Sequence, residues 1–200
     1  MSEAKQVDGW KPITIHEPIP YSCVPEELPS LIKALPSITV LSPNAEEALS
    51  LLSISSPITR KSVEVAAARF LELGEDNTGP KCVIIRSGAL GAYVATKADG
   101  GQWVDAFWTT EDSVKVVDVT GAGNGFLGGF AAGLLLADGD LYEATLYAAV
   151  SASFIIEQRG LPTLRMASEK GIEEWNNDLP QRRVDALRQR HVKEIHYKHH

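Results

Sequence analysis

Two hundred residues are enough for one sizeable hydrophobic core, and 44% apolar with 22% charged residues is an ordinary globular composition. Nineteen Lys and Arg against 26 Asp and Glu leave a net charge of −7, which argues against a general nucleic-acid binder. The basic residues crowd the carboxy-terminal twenty positions, so the remainder is more acidic still.

In chain order, Ile13-Thr-Ile15 reads as a strand stopped by Pro18 and Pro20. Pro25 to Leu35 reads as a short helix whose first turn is limited by Pro29. Ile38 to Leu41 is a second strand. Asn44 then has the position of a helix N-cap, with Glu47 at capping-box spacing. Val63, Ala66, Ala67, Phe70 and Leu71 share one face of a helix over 61–73, ended by Gly74. Strands follow at 81–85 and 93–96, joined by the turn Ser87-Gly-Ala-Leu-Gly91, with a further pair near 102–107 and 113–117. Two helices, 122–136 and 141–158, are separated by Asp138-Gly-Asp140 and closed by Gly160 and Pro162. Val184, Leu187, His191 and Ile195 recur at helical spacing among Arg182, Arg183, Arg188 and Arg190, which predicts an amphipathic terminal helix with a solvated basic face. Short β-branched runs alternating with helical periodicity predict an α/β fold with a largely parallel sheet.

Cys23 and Cys82 lie far apart without metal-ligand spacing, and Cys82 sits in an apolar strand. The amino terminus has no apolar core for a signal peptide, and the longest apolar run, 126–137, is too short to span a bilayer. A cytoplasmic location with reduced thiols and no membrane partner is expected.

The most informative stretch is Asp118-Val-Thr-Gly-Ala-Gly-Asn-Gly-Phe-Leu-Gly-Gly-Phe130. A strand, a glycine turn and a helix in that order aim free backbone N–H groups and the positive helix end at one point, which suits an anion. Standing alone, glycines before a helix also serve plain packing. Residues 123–128 satisfy G-x-G-x-x-G, but the second strand and acidic residue of a dinucleotide fold do not follow: Asp140 and Glu143 open a helix instead. No lysine follows the glycines, so a P-loop is excluded.

The stretch resembles the signature of the PfkB carbohydrate kinase (ribokinase-like) family, Asp-Thr-x-Gly-Ala-Gly-Asp. Val40-Leu-Ser-Pro-Asn-Ala-Glu-Glu47 is similar to the family's Asn-x-x-Glu element, although Asn44 and Glu47 equally spell a helix cap. Val83-Ile-Ile-Arg-Ser-Gly-Ala-Leu-Gly91 resembles the strand and turn flanking the nucleotide, with Arg86 where relatives often carry a small hydroxyl residue. The Ala-rich helix from Leu141 resembles the one closing the nucleotide side. The stretch 10–23 looks like the fungal killer-maintenance branch.

The resemblance implies a ribokinase-like three-layer αβα fold with a largely parallel sheet, its amino-terminal strands and lid missing. Residues 12–162 would be the carboxy-terminal part of the kinase domain, preceded by a polar segment 1–11 and followed by terminal helices and a basic tail over 163–200. It also implies ATP and Mg2+ as cofactors: Gly121, Ala122 and Gly123 as anion hole, Asn44, Glu47, Gly88, Gly91 and Thr120 on the nucleotide side, and Glu47 toward the metal. Asp118 and Thr120 match positions that help hold a monovalent cation in some relatives. The expected substrate is a sugar or nucleoside-like alcohol. Where the family has its proton-accepting Asp, this chain has Asn124, so two readings stand open: an impaired kinase, or a nucleotide-binding pseudokinase acting through a protein partner. Missing strands would leave a sheet edge for such a partner to cover.

Overall fold

In the computed structural model, residues 12–73, 79–166 and 172–197 are described. Gly74, the expected helix stop, lies outside them, as do the polar segment 1–11 and the last residues of the basic tail. Among the described residues, no helix is long and apolar enough to cross a membrane.

Five strands form one sheet in the order β1 (Ile15–His16), β2 (Val40–Leu41), β3 (Cys82–Arg86), β4 (Ala92–Thr96) and β5 (Gly100–Val104). β1 pairs parallel with β2, Ile15 opposite Val40, and β2 pairs parallel with β3, Val40 opposite Cys82. β3 is buried from Cys82 to Ile85 and carries an unbroken apolar run, as a central parallel strand must. β4 and β5 are joined by only three residues, a connection open to antiparallel neighbours alone.

The chain divides into two compact units. The first holds residues up to Ser87 together with 93–103. Its helices are α1 (Leu28–Ala34), α2 (Ala45–Leu51) and α3 (Arg60–Glu72). The stripe read on α3 is the buried one: Val63, Ala66, Ala67 and Phe70 are fully inaccessible and pack with Leu35, Leu41, Leu51, Val83 and Ile85. Thr59 and Ser62 close the start of α3 in a reciprocal cap.

The second unit holds 88–92 and the chain from Val104. It contains α4 (Ala122–Leu136), α5 (Leu141–Ile155), a hairpin of β6 (Leu164–Met166) and β7 (Glu173–Trp175), and α6 (Pro180–Tyr197). α4 lies against α5 along Gly125, Gly129 and Gly133, spaced by four. A Cβ on Gly129 would stand 2.5 Å from the Ser151 Cβ, and one on Gly133 2.8 Å from the Ala144 Cα, so the close approach requires hydrogen there. Val104, Leu146, Val150, Phe154, Val184 and Leu187 make this unit's core.

Three expectations are corrected. No strand forms over 113–117; Thr110–Lys115 is a 3-10 segment capped reciprocally by Thr109 and Asp112. Val114 is 86% exposed, and the amide N–H groups of Val117 and Asp118 are taken by the Ile156 carbonyl rather than by a neighbouring strand. The region after 162, read as helices, contains the β6–β7 hairpin before its helix. The basic face of α6 is also not uniformly solvated. Arg183 is buried, 3.7 Å from the Phe154 ring centroid, and its guanidinium bonds Glu157, Asp178 and Ser153.

Candidate functional site

The expected site residues fall into two groups, one on each unit. In the first unit, β2 ends at Leu41 and the chain turns through Pro43 into α2. The Asn44 Oδ1 accepts the Glu47 amide N–H at 2.8 Å, and Glu47 Oε2 accepts the Asn44 amide N–H at 2.8 Å. The predicted capping box is therefore formed. Glu47 is buried even though it is charged.

Burial of a carboxylate requires a partner. Arg86, at the end of β3, supplies one: its Nη2 lies 3.9 Å from Glu47 Oε2, 2.5 Å from Glu17 Oε1 and 3.1 Å from the Ser42 carbonyl oxygen, to which it donates. The Arg86 amide N–H donates to the Pro43 carbonyl, which ties β3 to the start of α2. Glu17 and Ser42 were not among the sequence-predicted residues. Their signal was positional, since each directly follows the last residue of a parallel strand, where open α/β sheets collect ligands.

The burial also sets proton affinities nearby. The Cys23 thiol is pushed up to about 11, first by desolvation and then by the Glu47 carboxylate. Burial in β3 pushes Cys82 up to about 12. Both cysteines are free thiols, protonated at neutral pH, and far from the electropositive, accessible setting of a reactive cysteine.

With the Arg86 guanidinium in place, the surroundings of Glu47 do not fit a protein-held Mg2+. One carboxylate oxygen is committed to the Asn44 amide and faces a guanidinium. Among the described residues no cluster of three His, Cys, Asp or Glu could hold a metal ion.

In the second unit, Gly88 and Gly91 bracket a 3-10 turn and take φ of +55° and +93°, which only glycine adopts without strain. A Cβ on Gly91 would also collide with the Val104 carbonyl oxygen. The glycine turn before α4 has a different character. Thr120 donates its amide N–H to Asp118 Oδ1 at 2.9 Å, and this bond, reinforced by the Thr120 hydroxyl, holds the Asp118 carboxyl below its ordinary range. Gly121 occupies the N-cap of α4 with φ +82°, and no side chain caps the helix. Ala122 donates to Val119 O and Gly125 to Gly121 O. The remaining first-turn donors, on Gly123 and Asn124, lie at an uncapped helix start, the arrangement that binds anions. Gly121 and Asn124 are exposed, Ala122 and Gly123 half-buried.

Comparison with known proteins agrees with this architecture. A sequence model of the pfkB family carbohydrate kinases matches residues 16–165. Protein MAK32 of Saccharomyces cerevisiae is 36% identical over 166 residues, covering 79% of this chain and 45% of that protein. An uncharacterized Schizosaccharomyces pombe protein is 34% identical over 183 residues, 84% and 49% of the two chains. A Staphylococcus aureus ribokinase is 31% identical over 147 residues, 74% and 42%. The chain thus spans about half the length of the curated relatives it matches. Among solved structures, Thermotoga maritima ribokinase superposes with a TM-score of 0.59 at 23% identity, covering 94% of this chain and 52% of that one. A putative Escherichia coli ribokinase II in complex with ATP and Mg2+ gives 0.52 at 25% identity, covering 83% and 44%. By sequence and by fold, this chain belongs to the pfkB family of carbohydrate kinases.

Proposed function

We propose that residues 12–162 are the carboxy-terminal part of a PfkB-type kinase domain that binds ATP at the α4 start and transfers phosphoryl groups slowly or not at all. The observation that carries this reading is the uncapped start of α4, opened by left-handed Gly121 in a chain that belongs to a kinase family. The open backbone N–H groups of Gly123 and Asn124 would donate to phosphate oxygens without help from the residue 124 side chain. In the same unit, Gly88, Gly91 and Thr120 would shape the nucleotide side.

Asn124 decides the chemistry. A sugar or nucleoside-like hydroxyl attacking a phosphate must lose its proton, and a carboxamide is not basic enough at neutral pH to take it. General-base assistance is typically worth ~10²–10⁴ in rate, about 3–5 kcal/mol of barrier. Positioning and charge stabilisation supply much of the remaining catalysis in phosphoryl transfer. Nucleotide binding therefore outlives turnover.

The second reading, a pseudokinase acting through a protein partner, draws on Asn124 and on β1, a two-residue strand at the end of the sheet order. Thermal unfolding with and without Mg-ATP tests the binding claim. A ligand at a hundredfold excess over its dissociation constant stabilises the fold by about 2.7 kcal/mol, and an unmoved transition would refute binding. Turnover on a sugar and nucleoside panel separates the two readings: a rise of ~10²–10⁴ in Asn124→Asp supports the impaired kinase. Brisk turnover by the unaltered chain would sink the pseudokinase.

A further inference from the structure

The carboxyl ends of three neighbouring parallel strands bring Glu17, Ser42 and Arg86 together, and α2 adds Glu47. Glu17 Oε1, Glu47 Oε2 and the Ser42 carbonyl oxygen all lie within 3.9 Å of one atom, Arg86 Nη2. The Ser42 hydroxyl is fully buried and has no hydrogen-bond partner. Two carboxylates and a main-chain carbonyl around one point make an all-oxygen donor set of the kind that hard divalent cations take. The Arg86 guanidinium, in contrast, is poorly used as a hydrogen-bonding fork. Its Nε is buried without a partner while Nη2 meets three oxygens. An arginine placed for bidentate recognition spreads its donors over the acceptor; here one nitrogen serves as a point charge among oxygens.

We propose that Glu17, Glu47 and the Ser42 carbonyl form a divalent-cation site that Arg86 fills with its own charge, so that this chain takes up no metal there and removing the guanidinium opens the site. The charge count supports this. Two carboxylates against one guanidinium leave the corner at −1, and without Arg86 a mostly buried pair at −2 has no counter-charge. The inference stands on these side chains alone and is independent of the nucleotide reading above.

The test is a Mn2+ titration at pH 7 and low ionic strength, followed by the loss of free-ion electron paramagnetic resonance signal, on the full chain and on Arg86→Ala. The unaltered chain should take up no Mn2+ at this corner. Arg86→Ala should bind one ion at least tenfold more tightly, and adding Glu47→Gln should abolish that gain. Uptake of one ion by the unaltered chain that disappears in Glu47→Gln would overturn the proposal, and so would a folded Arg86→Ala that binds none. If Arg86→Ala is unfolded without metal, 10 mM Mg2+ should restore a cooperative transition, and failure to do so also overturns it. Arg86→Lys, which keeps a point charge, should exclude Mn2+ as the native chain does.

Discussion

The two groups of candidate residues, one on each unit, are built by opposite means. In the first unit, side chains do the holding: Asn44 and Glu47 cap each other, and Arg86 spans Glu17, Glu47 and the Ser42 carbonyl. In the second, the absence of side chains does it: Gly121 turns the backbone through φ +82°, and Gly125, Gly129 and Gly133 let α4 lie against α5. The first corner spends its charged groups on one another and is largely buried. The second leaves backbone donors uncapped at an exposed helix start. Polar groups that satisfy one another stabilise a fold, whereas donors left open are available to a ligand.

That contrast can be broken at several points. The largest effect is expected from Arg86→Ala measured without divalent metal. Removing one partner of a largely buried ion pair strands the other, so chemical denaturation should show a loss of about 3 kcal/mol. Gly129→Val probes the second unit's strategy. Its Cβ would meet the Ser151 Cβ and the Tyr147 carbonyl oxygen, and overpacking of this kind costs about 1–3 kcal/mol, read as a lower denaturation midpoint at unchanged slope. Asn44→Ala removes a single cap and should cost about 1 kcal/mol.

A pH scan sharpens the first unit's side further. Both thiols have folded-state values above the ordinary one of 9.0, so the folded chain keeps protons that the unfolded chain releases. Stability from the thiols is complete below pH 9 and declines as pH rises toward 11 and 12, the sense required when the native state binds more protons. A Cys82→Ser, Cys23→Ser double variant whose alkaline decline matches the native chain would refute this. The smallest effect belongs to the exposed turn: Asn124→Ala should shift stability by no more than about 0.5 kcal/mol. Any ATP-dependent rise in the unfolding temperature should survive it, because the proposed phosphate donors are backbone.

The local elements were legible in sequence because local rules govern them. The Asn44–Glu47 box, the buried stripe of α3 and the extent of α4 follow from spacing within a single turn or helix. The 113–117 segment was misread because Val114, Val116 and Val117 have strand propensity, while a strand exists only where a neighbour accepts its hydrogen bonds. Here a reciprocal cap and the Ile156 carbonyl took that role. The β6–β7 hairpin and the burial of Arg183 among Phe107, Trp108 and Phe154 likewise depend on partners distant in the chain.

By itself, the sequence determined the α/β class, the family signature with Asn124 in place of Asp, and a glycine turn ahead of a helix. These are properties of single residues and short spacings. Only the tertiary structure decided that Arg86 reaches Glu17 and Glu47, because residues 17, 47 and 86 meet through the parallel register of three strands. Register is a property of paired strands, and a charge's partner is fixed only once those strands are aligned.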